Sequence, residues 1–244
     1  LMAGTLKDIR TLFVKRTGRY DLVVDTTDWA DNGADAYIVA GSRMLDRREE
    51  HEFSKAKHYE DGAVDEWYKV FQECRAILDV WIANDEFRKK LLLRDVDTFR
   101  AYYNQPAGDI DSGVPTYYTP ALLRTHPQAN TIYIEKFVDT TASESSKYDY
   151  EYNGVMWMPP TDEAIIVEVQ GLWYSKTLAE DTDKNYWSVN HPEVLLMAAS
   201  YMLEVSYRNT EGAKDWLAAI NMLLGDLGKD FVEQQASGVT QMKG

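Results

Sequence analysis

The chain has 244 residues, 45% of them hydrophobic, enough for one large domain or two modest ones with a sizeable core. Its 26 basic and 40 acidic residues leave a formal charge of −14 and a pI near 4.7. That balance opposes both the wrapping of nucleic acid and docking on an anionic membrane. The 7 Trp and 16 Tyr suit ordinary core filling and protein contacts equally.

The N-terminal "LMAGTLKDIR" has no basic stretch followed by an apolar core, so no secretory leader is expected. Leu6, Ile9, Leu12 and Phe13 recur at helical spacing and predict a helix over 5–16. A second helix is expected over 28–48, with Ala34, Tyr37, Ile38, Gly41, Met44 and Leu45 on one stripe before the charged "DRREE". "HEFSKAKHYED" (51–61) gathers His51, His58 and three acids, and reads as a solvated charged connector rather than a metal site.

From here the texture becomes β-rich. "WYKVFQECRAILDVWIAN" (67–84) predicts two strands with a sharp bend. Cys74 lies inside it. As the single cysteine it excludes an internal disulfide and a thiolate zinc site, and its apolar surroundings predict a buried, unreactive thiol. "RDVDTFRAYYN" (94–104) reads as a short helix, and "VPTYYTPALLRT", "TIYIEKFV", "GVMWMP" and "EAIIVEVQGLWYS" as strands. Polar punctuation separates them at 105–113 and at "DTTASESSKYDYEYNG" (139–154).

The C-terminal part returns to helix. Asn190 as N-cap, Glu193 answering it and Pro192 in the first turn predict a helix from 190 to about 207. No charge occurs between Val194 and Leu203, so that helix is apolar nearly all round. "NTEG" breaks it, and Ala213, Trp216, Leu217, Ile220, Leu223, Leu224, Leu227 and Phe231 predict a final helix over 211–235, antiparallel to its predecessor. The expected fold class is α+β, a bundle of about four helices drawn from both chain ends with an inserted β-rich domain. In residues this means 1–62 and 179–236 for the bundle, 63–178 for the insertion and 237–244 for a flexible tail. The longest uncharged apolar run, 194–203, is shorter than the roughly 20 residues that a bilayer demands.

Signs of catalysis are lacking. Neither a G-x-x-x-x-G-K-[ST] nor a G-x-G-x-x-G loop occurs, "AGSRM" lacks the second glycine of a nucleophile elbow, and the histidines form no H-E-x-x-H pair. "DTDKN" (181–185) begins like an EF-hand, but Tyr186 stands where the turn needs Gly and Pro192 where the bidentate Glu belongs. "DIDSG" (109–113) fails similarly, with Pro120 at the last ligand position. Both read as hydrogen-bonded turns, and no cofactor, metal or catalytic residue is expected.

An all-round apolar helix is either central in a large core or covered by another chain. With few other helices expected here, the second explanation is favoured. "LVVDTTDWADNGADAYIVAGSRMLDRR" (22–48) and "LAEDTDKNYWSVNHPEVLLMAASYMLEVSYRNTEGAKDWLAAINMLLGDLGKDFVEQ" (178–234) resemble the head-to-tail adaptor (connector) proteins of tailed, especially short-tailed, bacteriophages. "VPTYYTPALLR" is similar to that family's short segment entering its β-insertion.

The resemblance implies a structural virion protein at the neck. It would form a homo-oligomeric ring of about twelve copies, seated between the portal ring and a tail nozzle or tail-tube protein. It further implies a ring interface on the helices, here assigned to Tyr37, Met44, Leu195, Met197, Tyr201, Met202, Tyr207 and Trp216. The implied portal-binding tail, within 228–244, carries Phe231, Gln234, Gln235, Val239, Gln241 and Met242. Double-stranded DNA would pass through such a ring without specific binding, and an acidic lumen would keep phosphates from sticking. Asp28, Asp31, Asp35, Asp215, Asp226 and Asp230, with Glu211, are the candidate lumen acids. Two rivals remain. One is another neck or tail ring protein, a stopper or nozzle. The other is a glycan-binding or glycan-cleaving virion protein using Trp81, Trp157 and Trp173, which an exposed aromatic row on one β-face would favour.

Overall fold

The structure is a computed structural model that describes residues 4–48, 55–71, 73–104, 109–122 and 153–237. It is α+β and divides into two compact units, Leu1–Ser54 with Tyr174–Gly244, and Lys55–Trp173.

In the first unit, α1 (Leu6–Thr17) starts at a capping box in which Thr5 and Asp8 bond each other's backbone N–H. It ends at Gly18, whose φ of 69° is the left-handed conformation that glycine adopts without strain. The second helix, α2 (Ala34–Arg48), begins later than 28. The cause is local. Asp25 accepts hydrogen bonds from the Thr27 and Asp28 N–H groups, Asp28 accepts from Ala30, and these Asx turns compete with helix.

The expected cap at Asn190 is also displaced. Asn185 caps a short α4 (Tyr186–Asn190) in a box with Ser188, and α5 (Pro192–Ser206) follows with Pro192 in its first turn and no side-chain cap. Glu193 bonds Arg16 at 2.7 Å instead of answering a cap. The last helix, α6, runs Thr210–Ser237.

These helices share one core, with Leu6, Ile9 and Phe13 from α1, Ala34, Ile38 and Leu45 from α2, Leu195, Ala198 and Ala199 from α5, and Ile220 and Leu224 from α6. That core corrects the expectation about the apolar helix. Helices of the same chain surround α5, so Val194, Leu195, Leu196, Ala198, Ala199 and Leu203 are buried without any second chain. Helices α2 and α5 approach closely at Gly41, where a Cβ would lie 2.8 Å from the Ala199 nitrogen and 2.9 Å from the Ala198 carbonyl carbon.

A polar knot ties the chain re-entering this unit to α2. Asp46, only 3% exposed, accepts from the Trp187 indole at 2.7 Å and from the Ser175 N–H and hydroxyl at 2.8 Å each. Beside it, Asn185 donates to the Ser42 hydroxyl at 3.0 Å and to the Lys176 carbonyl at 3.2 Å.

In the second unit, β1 (Lys55–Gly62), β2 (Tyr68–Phe71), β3 (Cys74–Ala83), β4 (Arg88–Lys90), β5 (Leu92–Leu93), α3 (Val96–Tyr102), β6 (Tyr117–Leu122), β7 (Asn153–Met158) and β8 (Ile165–Trp173) follow in order. They form two four-stranded sheets, β1-β8-β3-β4 and β2-β7-β6-β5, antiparallel except for the β5–β6 pair. Both sheets contribute to one core, including Val80, Ile82, Val167 and Val169 from the first and Phe71, Tyr118, Val155 and Trp157 from the second. Strand β7 shows why. Val155 and Trp157 point into that core, while the alternating Met156 and Met158 pack with Phe99 and Tyr103 of the α3 segment.

The bend expected within 67–84 separates β2 from β3, and the two strands enter different sheets. The charged segment 51–61 is not simply a connector, since Lys55–Gly62 pairs with β8 as an edge strand. Its charges suit an edge, where they discourage pairing with foreign strands. The expected strand "TIYIEKFV" and the tract 139–152 lie outside the described residues.

Cys74 is buried, and burial pushes its thiol up to about 11. Thiolate is the reactive species, so alkylation at pH 8 will be slow in the native chain and at least tenfold faster once it is unfolded in urea. Mass spectrometry after timed iodoacetamide treatment reads both rates.

Candidate functional site

Among the described residues, the helical unit carries an open cleft of about 380 Å³. The last turn of α1 brings Arg16 and Thr17 to it, and the chain reversal at Gly18 adds Arg19. From α5 come Ser200, Leu203, Glu204 and the cap residue Tyr207, positions three and four apart on one helix face. Trp216 of α6 closes it.

Its walls are cations stacked on aromatic rings. The Arg16 guanidinium lies 5.6 Å from the Trp216 ring centre, and that of Arg19 lies 4.4 Å from the Tyr207 ring. Arg16 also pairs with Glu193 at 2.7 Å and Arg19 with Asp21 at 2.7 Å, through carboxylates 59% and 61% exposed. Pairs that open to solvent contribute little and exchange readily. Glu204 accepts from the Asn209 amide at 2.8 Å. Such a cleft can take an apolar side chain between its aromatic walls and carboxylates at its rim.

Of the eight residues assigned to the ring interface, the structure brings two together here, Tyr207 and Trp216. Tyr37, Met44, Met197 and Tyr201 are half-buried against the helical core, and Met202 is half-buried on α5. Leu195 is a correction. It is 0% exposed inside the chain's own core and has no surface to offer a neighbour.

The acids assigned to a lumen are scattered. Asp28 and Asp31 lie on the loop before α2 rather than on a helical face. Asp35 is taken by the buried Arg10, which it clamps through both carboxylate oxygens at 2.7 and 2.6 Å. Arg10 also reaches Asp181 at 2.8 Å and the Trp29 carbonyl at 2.9 Å. Burial alone would lower this guanidinium's pKa, but the Asp35 and Asp181 bonds outweigh it and raise it. Asp215 and Asp226 are exposed, and at about three helical turns apart they lie on one side of α6. Phe231, Gln234, Gln235 and Asp230 fall on the described backbone of α6, with side chains outside the described set, and Val239, Gln241 and Met242 lie outside it altogether.

The "DTDKN" loop spends its oxygens structurally. Asp181 holds Arg10, Asn185 caps α4, and Asp183 accepts from Lys176 at 2.6 Å and from the Ala179 and Glu180 N–H groups at 3.0 and 2.9 Å. The Lys176 bond leads in holding the Asp183 carboxyl far below the usual carboxylate range. Among the described residues no His, Cys, Asp and Glu side chains gather in a group that could hold a metal ion.

The aromatic row of the glycan rival does not form. Trp157 is fully buried, Trp173 packs on His58 and Phe71 with ring centres 4.9 and 5.8 Å away, and Trp81 lies beneath Arg88 and Lys90.

No protein-family model and no curated protein sequence matches the chain.

Arg16 and Arg19 escaped sequence reasoning because no periodicity distinguishes a cleft arginine from a solvated one. His191 adds a pH term near the cleft-forming helix. Burial lowers its pKa below the ordinary value, so the unfolded chain binds the proton more readily. Stability is full above about pH 6.5 and falls as pH drops below it. The urea midpoint will therefore fall between pH 7.5 and pH 5, and His191→Gln will flatten that change.

Proposed function

We propose that this chain is a non-enzymatic structural protein of tailed-phage virions, a head-to-tail adaptor that forms a ring between the portal and the tail and lines part of the DNA conduit. The helices from both chain ends act in it as the ring-forming bundle, and the β-rich unit is an insertion facing the tail component.

One observation carries the reading. The two segments resembling adaptors, 22–48 and 178–234, lie far apart in sequence yet meet in a single core, where Ala34, Ile38 and Leu45 pack with Trp187, Leu195, Ile220 and Leu224. The net charge of −14 supports it further, since like charge keeps a moving duplex from adhering. Asp35, occupied by Arg10, is not available for that role. The glycan-binding alternative loses its support with the burial of Trp157.

Deleting 238–244 leaves α6 whole and tests the portal-binding role of the tail. The truncated chain will keep its thermal midpoint but lose co-sedimentation with isolated portal rings. Undiminished co-sedimentation would remove that role.

A further inference from the structure

We infer that the Arg16–Arg19–Tyr207–Trp216 cleft of one copy receives Met222 of the next, with Asp215 and Asp226 beside that methionine meeting the cleft's arginine rim. The inference rests on the adaptor reading and names the contact that would propagate its ring.

Met222 is 72% exposed, an unusual position for a long apolar side chain on a helix that packs into a core. Ile220 and Leu224, two residues to either side, are each 0% exposed. Two residues turn the helix by about 200°, so Met222 points away from the core that those two enter. Its stripe on α6 is Asp215, Ala218, Met222 and Asp226, spaced by three and four residues, and all four are exposed. The result is an apolar knob between two carboxylates, with the small Ala218 letting a partner approach closely.

The cleft offers the complement. Its aromatic walls suit a thioether, which packs well against rings. Arg16 pairs with the exposed Glu193, and Arg19 with the exposed Asp21 and the Tyr207 hydroxyl, so a neighbour's carboxylates would join or exchange with ion pairs already open to solvent. On α6, Met222 lies about 120° round the helix from Trp216, so knob and cleft do not share one face of it. Such a contact is head-to-tail rather than self-complementary, and it continues from copy to copy until a ring closes.

The test mixes full-length Met222→Cys and Thr17→Cys chains on isolated portal rings under mild oxidation; Thr17 lines the cleft, and the buried Cys74 remains in both. A disulfide-linked dimer that appears only in the mixture, and maps to 222–17, is the expected result. Rings that assemble without this link, even with a short bis-maleimide, would overturn the contact and leave the adaptor reading standing. Failure of the unmodified chain to assemble on the portal would overturn both. Met222→Asp, at an exposed position, is expected to keep the monomer's thermal midpoint and reduce assembly at least tenfold; unchanged assembly would also sink the inference.

Discussion

Asp46→Ala will lower the stability of the helical unit by about 3–5 kcal/mol, among the largest losses expected of any single substitution. The carboxylate is 3% exposed, and its donors include the Trp187 indole N–H and the Ser175 N–H and hydroxyl. Truncation strands those donors where water cannot replace their partner, and each stranded group costs about 1–3 kcal/mol. It also releases the chain at Ser175 from the end of α2. Asp46→Asn keeps an acceptor for Trp187 but turns an N–H₂ toward Ser175, so its loss will be smaller, about 1–2 kcal/mol. Urea unfolding followed by tryptophan fluorescence measures both. A loss below about 1 kcal/mol for the alanine variant would show that the knot does not hold this unit together.

Gly41→Val will cost about 3 kcal/mol, by a different mechanism. At Gly41 the two helices touch through backbone, and an added Cβ would meet the Ala199 nitrogen at 2.8 Å and the Ala198 carbon at 2.9 Å. Neither atom can swing aside as a side chain would, so α2 and α5 must separate and loosen the core along their length. Gly41→Ala gains about 1 kcal/mol in helix propensity and will still show a net loss. Gly225 is the control. A Cβ there meets nothing within 4 Å, so Gly225→Ala will stabilise the chain by about 0.5–1 kcal/mol. If both alanine variants stabilise alike, the close crossing of α2 and α5 is wrong.

Periodicity made α1, α2 and α6 legible, because an amphipathic stripe states which side is buried. It could not do so for α5. An all-round apolar helix says only that every side is covered, and whether the cover is α1, α2 and α6 or another molecule is a tertiary fact. Leu195 was assigned to an interface for that reason. Strand β1 was invisible for the opposite reason, since the charges of "KAKHYED" that protect an edge also make it read as connector. Asp35 looked like any exposed acid on a helix until Arg10, 25 residues earlier in the chain, closed on it. The cleft shared this difficulty. Tyr207 and Trp216 drew notice as aromatics, but the arginines stacked on them come from the far end of the sequence.

Burial of α5 by helices of its own chain calls for no neighbouring subunit, so the proposed self-assembly rests on the exposed face of α6 and on the cleft. The most direct test of the adaptor reading is the light-scattering mass of the purified chain, alone and then mixed with an isolated portal ring. The account predicts a 28.0 kDa monomer that converts on the portal into a complex of fixed stoichiometry, near one chain per portal subunit. A chain that stays monomeric beside the portal, with no change in either mass, would contradict it.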